Sequence, residues 1–149
     1  MGFFSGLTSS LSDAFGSTIA KYARDKDLLE GTMAAVAMIA AVDGSVSSQE
    51  KAKLARFLET HDLMKAFDRA EAIRLFNSYV QELEFDLEMG GDTCLKQIRE
   101  VRGDEKRMLV ARLALAIAKA DGSTSDQEAA VAVKIVDALN LNRAEFGLT

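Results

Sequence analysis

Carboxylates at a repeated spacing are the residues of this sequence best suited to chemistry. Asp43 and Glu50 bracket the stretch Asp43-Gly44-Ser45-Val46-Ser47-Ser48-Gln49-Glu50. Asp121 and Glu128 bracket Asp121-Gly122-Ser123-Thr124-Ser125-Asp126-Gln127-Glu128. The two coincide at Asp, Gly, Ser, Ser, Gln and Glu at a constant offset of 78 residues, and Ile39-Ala40 and Ile117-Ala118 extend the match upstream. Much of this motif is turn structure. Gly supplies the left-handed residue that ends a helix. Ser47 and Ser125 are N-caps, and Glu50 and Glu128, three residues on, complete capping boxes. The two Asp residues fit less well. An Asp in the last helical turn faces unpaired carbonyls and the negative end of the helix dipole, unfavourable by about 0.3–1 kcal/mol. Two readings stand for them. In one, each Asp joins the capping-box Glu and backbone carbonyls around a hard cation, for which oxygen ligands select Ca²⁺, Mg²⁺ or Mn²⁺. In the other, each Asp makes an Asx-type hydrogen bond to its own turn. An EF-hand is excluded, because Gly follows Asp directly and only six residues separate Asp43 from Glu50.

The other reactive residue types are sparse. Residues 82–92 carry Glu82, Glu84, Asp86, Glu88 and Asp92 with no Lys or Arg. This run reads as a solvated face, as a third source of carboxylates for the paired turns, or as a docking patch for a basic partner. Cys94 is the single cysteine and His61 the single histidine. A lone Cys excludes an intramolecular disulfide and a multi-thiolate metal site. Beside Leu95 it reads as a buried, inert thiol. His61, between Thr60 and Asp62, reads as a solvated residue at a helix end. Zinc catalysis and Ser-His-Asp chemistry lack their residues, and no His, Lys or Tyr is placed by motif as a base beside a metal. The expectation is a protein that is not an enzyme.

Helices must position these groups. The chain has 149 residues, 48% apolar and 28% charged, with no Pro and no Trp, which suits one globular domain. The reading is all-α, a single domain of about seven to eight helices built from two pseudo-repeated helical hairpins. Residues 1–25 form an N-terminal amphipathic helix with a stripe of Phe4, Leu7, Leu11, Phe15, Ile19 and Tyr22. It folds onto the core through Phe3 and Phe4, or docks elsewhere. Residues 27–67 are repeat 1, 68–103 connecting helices, and 104–149 repeat 2. Helix starts are expected at Asp27 with Glu30, Ser47, Asp68 with Glu71, Asp104, Ser125 with Glu128, and Asn142 with Glu145. The stretch 33–42 is apolar all round and 109–118 almost so, which places both centrally. Gly90-Gly91 leaves a helix boundary open inside the acidic run. A helix with Leu95, Ile98 and Val101 should end near Gly103. A net charge of −5 disfavours nucleic acid, which needs a basic stripe. No stretch is long enough to span a bilayer, and no secretion signal is present, so the expected compartment is the cytoplasm.

The paired Asp-Gly-Ser…Glu turns, each behind an Ala-rich apolar helix, resemble the TerB family of tellurite-resistance proteins. The resemblance extends over Met1-Gly2-Phe3-Phe4, over Glu84-Phe85-Asp86-Leu87-Glu88-Met89-Gly90, and over the closing Arg143-Ala144-Glu145-Phe146-Gly147-Leu148. It implies an all-helical fold of seven or more helices and a role in tellurite and related stress resistance. It also implies work beside other proteins of a resistance complex, peripheral at the inner face of the cytoplasmic membrane. No enzymatic activity and no organic cofactor come with it. Its acidic positions carry over as metal ligands to Asp43, Glu50, Asp121 and Glu128, and then to Asp86 and Glu88. Near the N-terminus only Lys21, Arg24 and Lys26 are basic, which weakens direct membrane contact. Tellurite is an oxyanion that an acidic surface repels, and one thiol is too few to reduce it, so an indirect role fits the chemistry.

Overall fold

The computed structural model describes residues 25–42, 46–49, 51–52, 68–118 and 126–148. Among these the chain is all-helical, with five α-helices of defined bounds, the start of a further helix at residue 48, a closing 3₁₀ turn and no strand. The N-terminal stripe of residues 4–22, the stretch 53–67 with His61, and Asp43, Glu50 and Asp121 lie outside the described residues.

The centre of the fold is α1, Lys26–Ala40. Its residues are buried without interruption from Gly31 to Ile39, as a helix with no polar face requires. Four further helices pack around it: α2 (Arg69–Phe85), α3 (Leu87–Arg99), α4 (Asp104–Ala118) and α5 (Asp126–Ala138). Small side chains at Ala34, Ala35 and Ala37, all essentially inaccessible, let these neighbours approach closely. Gly31 goes further. A Cβ there would collide with the Val101 side chain, which fills the space beside the glycine. Around this axis lie Phe76, Val80 and Leu83 of α2, Cys94 and Ile98 of α3, Val110 of α4, and Ile135 and Val136 of α5.

Several helix ends depart from the sequence expectation. The N-cap of α1 is Asp25, not Asp27, and its carboxylate accepts the Leu28 N–H at 3.0 Å. Asp25 wins because it also pairs with Lys106 Nζ of α4 at 2.7 Å, a partner remote in sequence. Glu30 makes no capping box with Asp27; its carboxylate accepts from Gln97 of α3 at 2.9 Å. Asp68 caps α2 as expected, accepting the Glu71 N–H at 3.2 Å, while the Glu71 side chain turns to Arg74. Ser47 holds the N-cap position of the helix beginning at residue 48, its carbonyl accepting the Lys51 N–H. Asp104 is the first residue of α4 rather than its cap. That position falls to Gly103, whose φ of +97° suits a glycine and whose carbonyl takes the Arg107 N–H. At the other end α5 closes in a Schellman arrangement, with Asn140 at φ 59° and Leu141 N–H reaching the Val136 carbonyl. Asn142 then caps the 3₁₀ turn Arg143–Phe146, which lays Phe146 and Leu148 against the core.

The element bounds carry the same offset as the motif. From Lys26 to Asp104 and from Ala40 to Ala118 the separation is 78 residues in each case. The helix after each turn begins at 48 and at 126, again 78 apart. The two Ala-rich helices α1 and α4 pack on each other.

The Asp25–Lys106 pair gives the fold a pH dependence of known sign. Burial opposes ionisation of Asp25. The Lys106 hydrogen bond and charge, with the N–H donors of Leu28 and Asp27, outweigh it and hold the carboxyl below its ordinary value. A depressed carboxyl contributes stability that is present above the unfolded value and lost as pH falls through the folded one. Asn caps a helix as well as Asp does, so Asp25→Asn removes the charge and keeps the cap. Thermal melts should show the variant less stable than wild type at pH 7, with the difference shrinking as pH falls below the ordinary Asp value of about 3.9.

Candidate functional site

The acidic run wraps the corner between α2 and α3, beside the exit of α1. The corner itself is Asp86. It is the C-cap of α2, its N–H bonded to the Glu82 carbonyl, and the N-cap of α3, its carboxylate accepting the Met89 N–H at 2.9 Å. The helix boundary therefore falls at Asp86, and Gly90-Gly91 lie within α3. Gly90 is buried because α3 crosses α2 there; a Cβ would come within 2.7 Å of the Glu82 carbonyl and of Leu83 Cα.

Of the acidic side chains, the one that reaches the segment after Asp43 is Glu84, a member of the run for which a solvated face, a third source of carboxylates for the paired turns and a docking patch all stand as readings. Its Oε2 accepts the Val46 N–H at 2.9 Å, and its Oε1 lies 3.9 Å from Lys51 Nζ. Val46, three residues past Asp43, is itself buried. Glu84 thus ties the segment leaving α1 to the last turn of α2. Its even spacing with Glu82 and Asp86 gave no signal, because that contact spans 38 residues of chain.

Glu88 and Asp92 project one helical turn apart from α3 and border a cavity of about 150 Å³. Met38 and Val42 of the α1 exit, Leu83, Leu95 and Lys134 of α5 also line it. Glu128 is half-buried in the first turn of α5. Among the described residues no three His, Cys, Asp or Glu side chains converge as a metal would require. Asp86, Glu88 and Glu128 form no such group. Three of the four turn carboxylates lie outside the described residues.

Cys94 is buried on α3. Burial, and then the Glu82 carboxylate, pushes its thiol up to about 12. Only the thiolate is a nucleophile, so at pH 8 the folded protein should react with an aromatic disulfide reagent roughly 10³-fold more slowly than the urea-unfolded chain. A stopped-flow absorbance trace of each measures it. Such a thiol is not poised to reduce an oxyanion.

The family profile of "Tellurite resistance protein TerB" matches residues 29–149. The chain belongs to the TerB family of tellurite-resistance proteins. It is also similar to a tellurium resistance protein TerB from Alcaligenes sp, at 33% identity over 120 residues, covering 78% of this chain and 95% of that one. No solved structure gives a significant match. Membership supports a role associated with tellurite resistance. Among the described residues no helix is long and apolar enough to cross a membrane.

Proposed function

We propose that this TerB-family chain serves tellurite and chemical-stress resistance as a non-enzymatic module that binds a divalent cation and docks to other proteins. The cation is Ca²⁺, Mg²⁺ or Mn²⁺, held by Asp43 and Glu50 at one turn and Asp121 and Glu128 at the other. The work site is the cytoplasm, within a resistance complex peripheral to the inner face of the membrane. The observation that carries the reading is the recurrence of Asp three positions past the last residue of two helices whose bounds repeat at the same 78-residue offset. The same recurrence supports two pseudo-repeated hairpins, and counting the helix at residue 48 and one at the N-terminus, a total of seven or more helices. Bound across both turns, a cation would fix the angle between the hairpins and so control which surface is presented.

The test is a calorimetric titration of EDTA-stripped protein with Ca²⁺, Mg²⁺ and Mn²⁺, beside the Asp43→Ala/Asp121→Ala double variant. Heat of binding that the variant loses supports the reading. Absence of heat, with equal thermal stability of both proteins, removes the metal. A second reading, an adaptor without metal, would then stand. It draws on the corner at Asp86, where one carboxylate of the acidic run caps a helix and another holds Val46 with no cation needed.

A further inference from the structure

Among the described residues the large apolar side chains left exposed are Phe85 at 92%, Met89 at 67% and Leu87 at 49%. Singly exposed apolar residues are ordinary. These three fall within five residues, at one corner of the fold. They are not on a frayed loop. The Asp86 cap bonds and the close crossing of Gly90 on α2 hold the corner rigid. Phe85 and Met89 flank an open trough of about 340 Å³ walled by Glu82, Asp86 and Thr93.

The charge around the patch selects its occupant. Residues 82–92 carry five carboxylates and no Lys or Arg. The ion pairs among the described residues engage Glu84 but not Glu82, Glu88 or Asp92. An anionic lipid surface would be repelled by this rim. A second copy, docking the same patch two-fold, would set one acidic rim against another. We infer that the α2–α3 corner is a docking surface for a basic amphipathic helix of a partner protein, whose apolar face covers Phe85 and Met89 and whose Lys or Arg residues meet Glu82, Glu88 and Asp92. Aromatic and Met anchors are common centres of such helix-in-groove sites, and a rigid corner lowers the ordering cost of binding. The surface names the partner chemistry for the interaction half of the proposed function, on which it rests. It does not depend on the cation.

The probe is an 18-residue peptide with Leu on one helical face and Lys on the other, titrated in EDTA into the full-length, isotopically labelled chain. Amide shifts should be confined to residues 81–93. Phe85→Ser/Met89→Ser should weaken binding at least tenfold, and Glu82→Gln/Glu88→Gln should weaken it several-fold and flatten its salt dependence. Shifts spread over the whole surface, or equal affinity of the Phe85→Ser/Met89→Ser variant, would overturn the inference. So would a fall of more than a few degrees in that variant's unfolding midpoint, which would mean the chain covers these side chains itself. Concentration-dependent dimerisation, or binding to anionic vesicles, lost in the same variant would overturn it in favour of a second copy or a membrane. The same variant expressed in cells separates the two readings. Localised peptide binding with tellurite tolerance lost in the variant supports both, whereas binding with tolerance unchanged keeps the surface and overturns the assembly.

Discussion

Cation at about a hundred times its dissociation constant is expected to raise the unfolding midpoint of the wild-type protein by about 5–10 °C, and Asp43→Ala/Asp121→Ala should abolish the gain. The magnitude follows from linkage. A ligand that binds only the folded state adds RT ln(1 + [L]/Kd), about 2.7 kcal/mol at that excess. A domain near 150 residues gains about 2–4 °C per kcal/mol. The sharper expectation concerns sign in the absence of metal. If each Asp stands against the negative end of a helix dipole, as the sequence reading has it, the contact is unfavourable by about 0.3–1 kcal/mol. In EDTA the double variant should therefore be as stable as wild type or more so, and in cation less stable. If the Asp residues are turn structure, the variant loses two Asx hydrogen bonds and melts lower under both conditions. Melting curves of two proteins in two buffers separate the readings. The single variants then count sites. Each removes the whole gain if both turns share one ion, and about half if each turn holds its own.

The same contrast between local and remote physics decides what was legible in the sequence. The central place of α1 was readable from residues 33–42 alone, since a helix apolar all round has no other stable location. Asp68, Ser47 and Asn142 were readable as caps because a cap acts within three residues. Asp25 was not, because its advantage over Asp27 comes from Lys106, 81 residues away. The α2–α3 boundary was missed for a related reason. Gly90-Gly91 looks like punctuation on helix propensity, which charges a glycine about 1 kcal/mol, yet Asp86 ends α2 and Gly90 stays helical because it touches another helix. At the candidate site the repeated carboxylates were visible as a pattern of types. The role of Glu84 was invisible, because only the fold carries α2 past Val46. The exposure of Phe85 and Met89 does leave a signal in the spacing, since the residues three and four positions away, Glu82 and Gln81 for Phe85 and Asp92 and Thr93 for Met89, are polar.

The two adjacent glycines of α3 should respond oppositely to one substitution. Gly91 meets nothing within 4 Å of where a Cβ would stand. Gly91→Ala therefore gains helix propensity, worth up to about 1 kcal/mol, and should raise the unfolding midpoint by about 2–4 °C. Gly90 faces backbone: the Glu82 carbonyl and Leu83 Cα lie at 2.7 Å from that position. Backbone atoms cannot rotate aside as a flexible side chain can. The helices must separate, at a cost of about 1–3 kcal/mol or more, and every buried contact between Leu83 and α3 is weakened with them. The propensity gain does not offset this, so Gly90→Ala should lower the midpoint by about 4–8 °C. Circular-dichroism melts of the two variants measure the difference, and equal midpoints would mean that α3 does not cross α2 at Gly90. The consequence reaches the docking surface. Asp86, Phe85 and Met89 are held by that crossing, so Gly90→Ala should also weaken the Leu/Lys peptide although Gly90 is buried beneath the trough it helps line, whereas Gly91→Ala should leave that affinity unchanged.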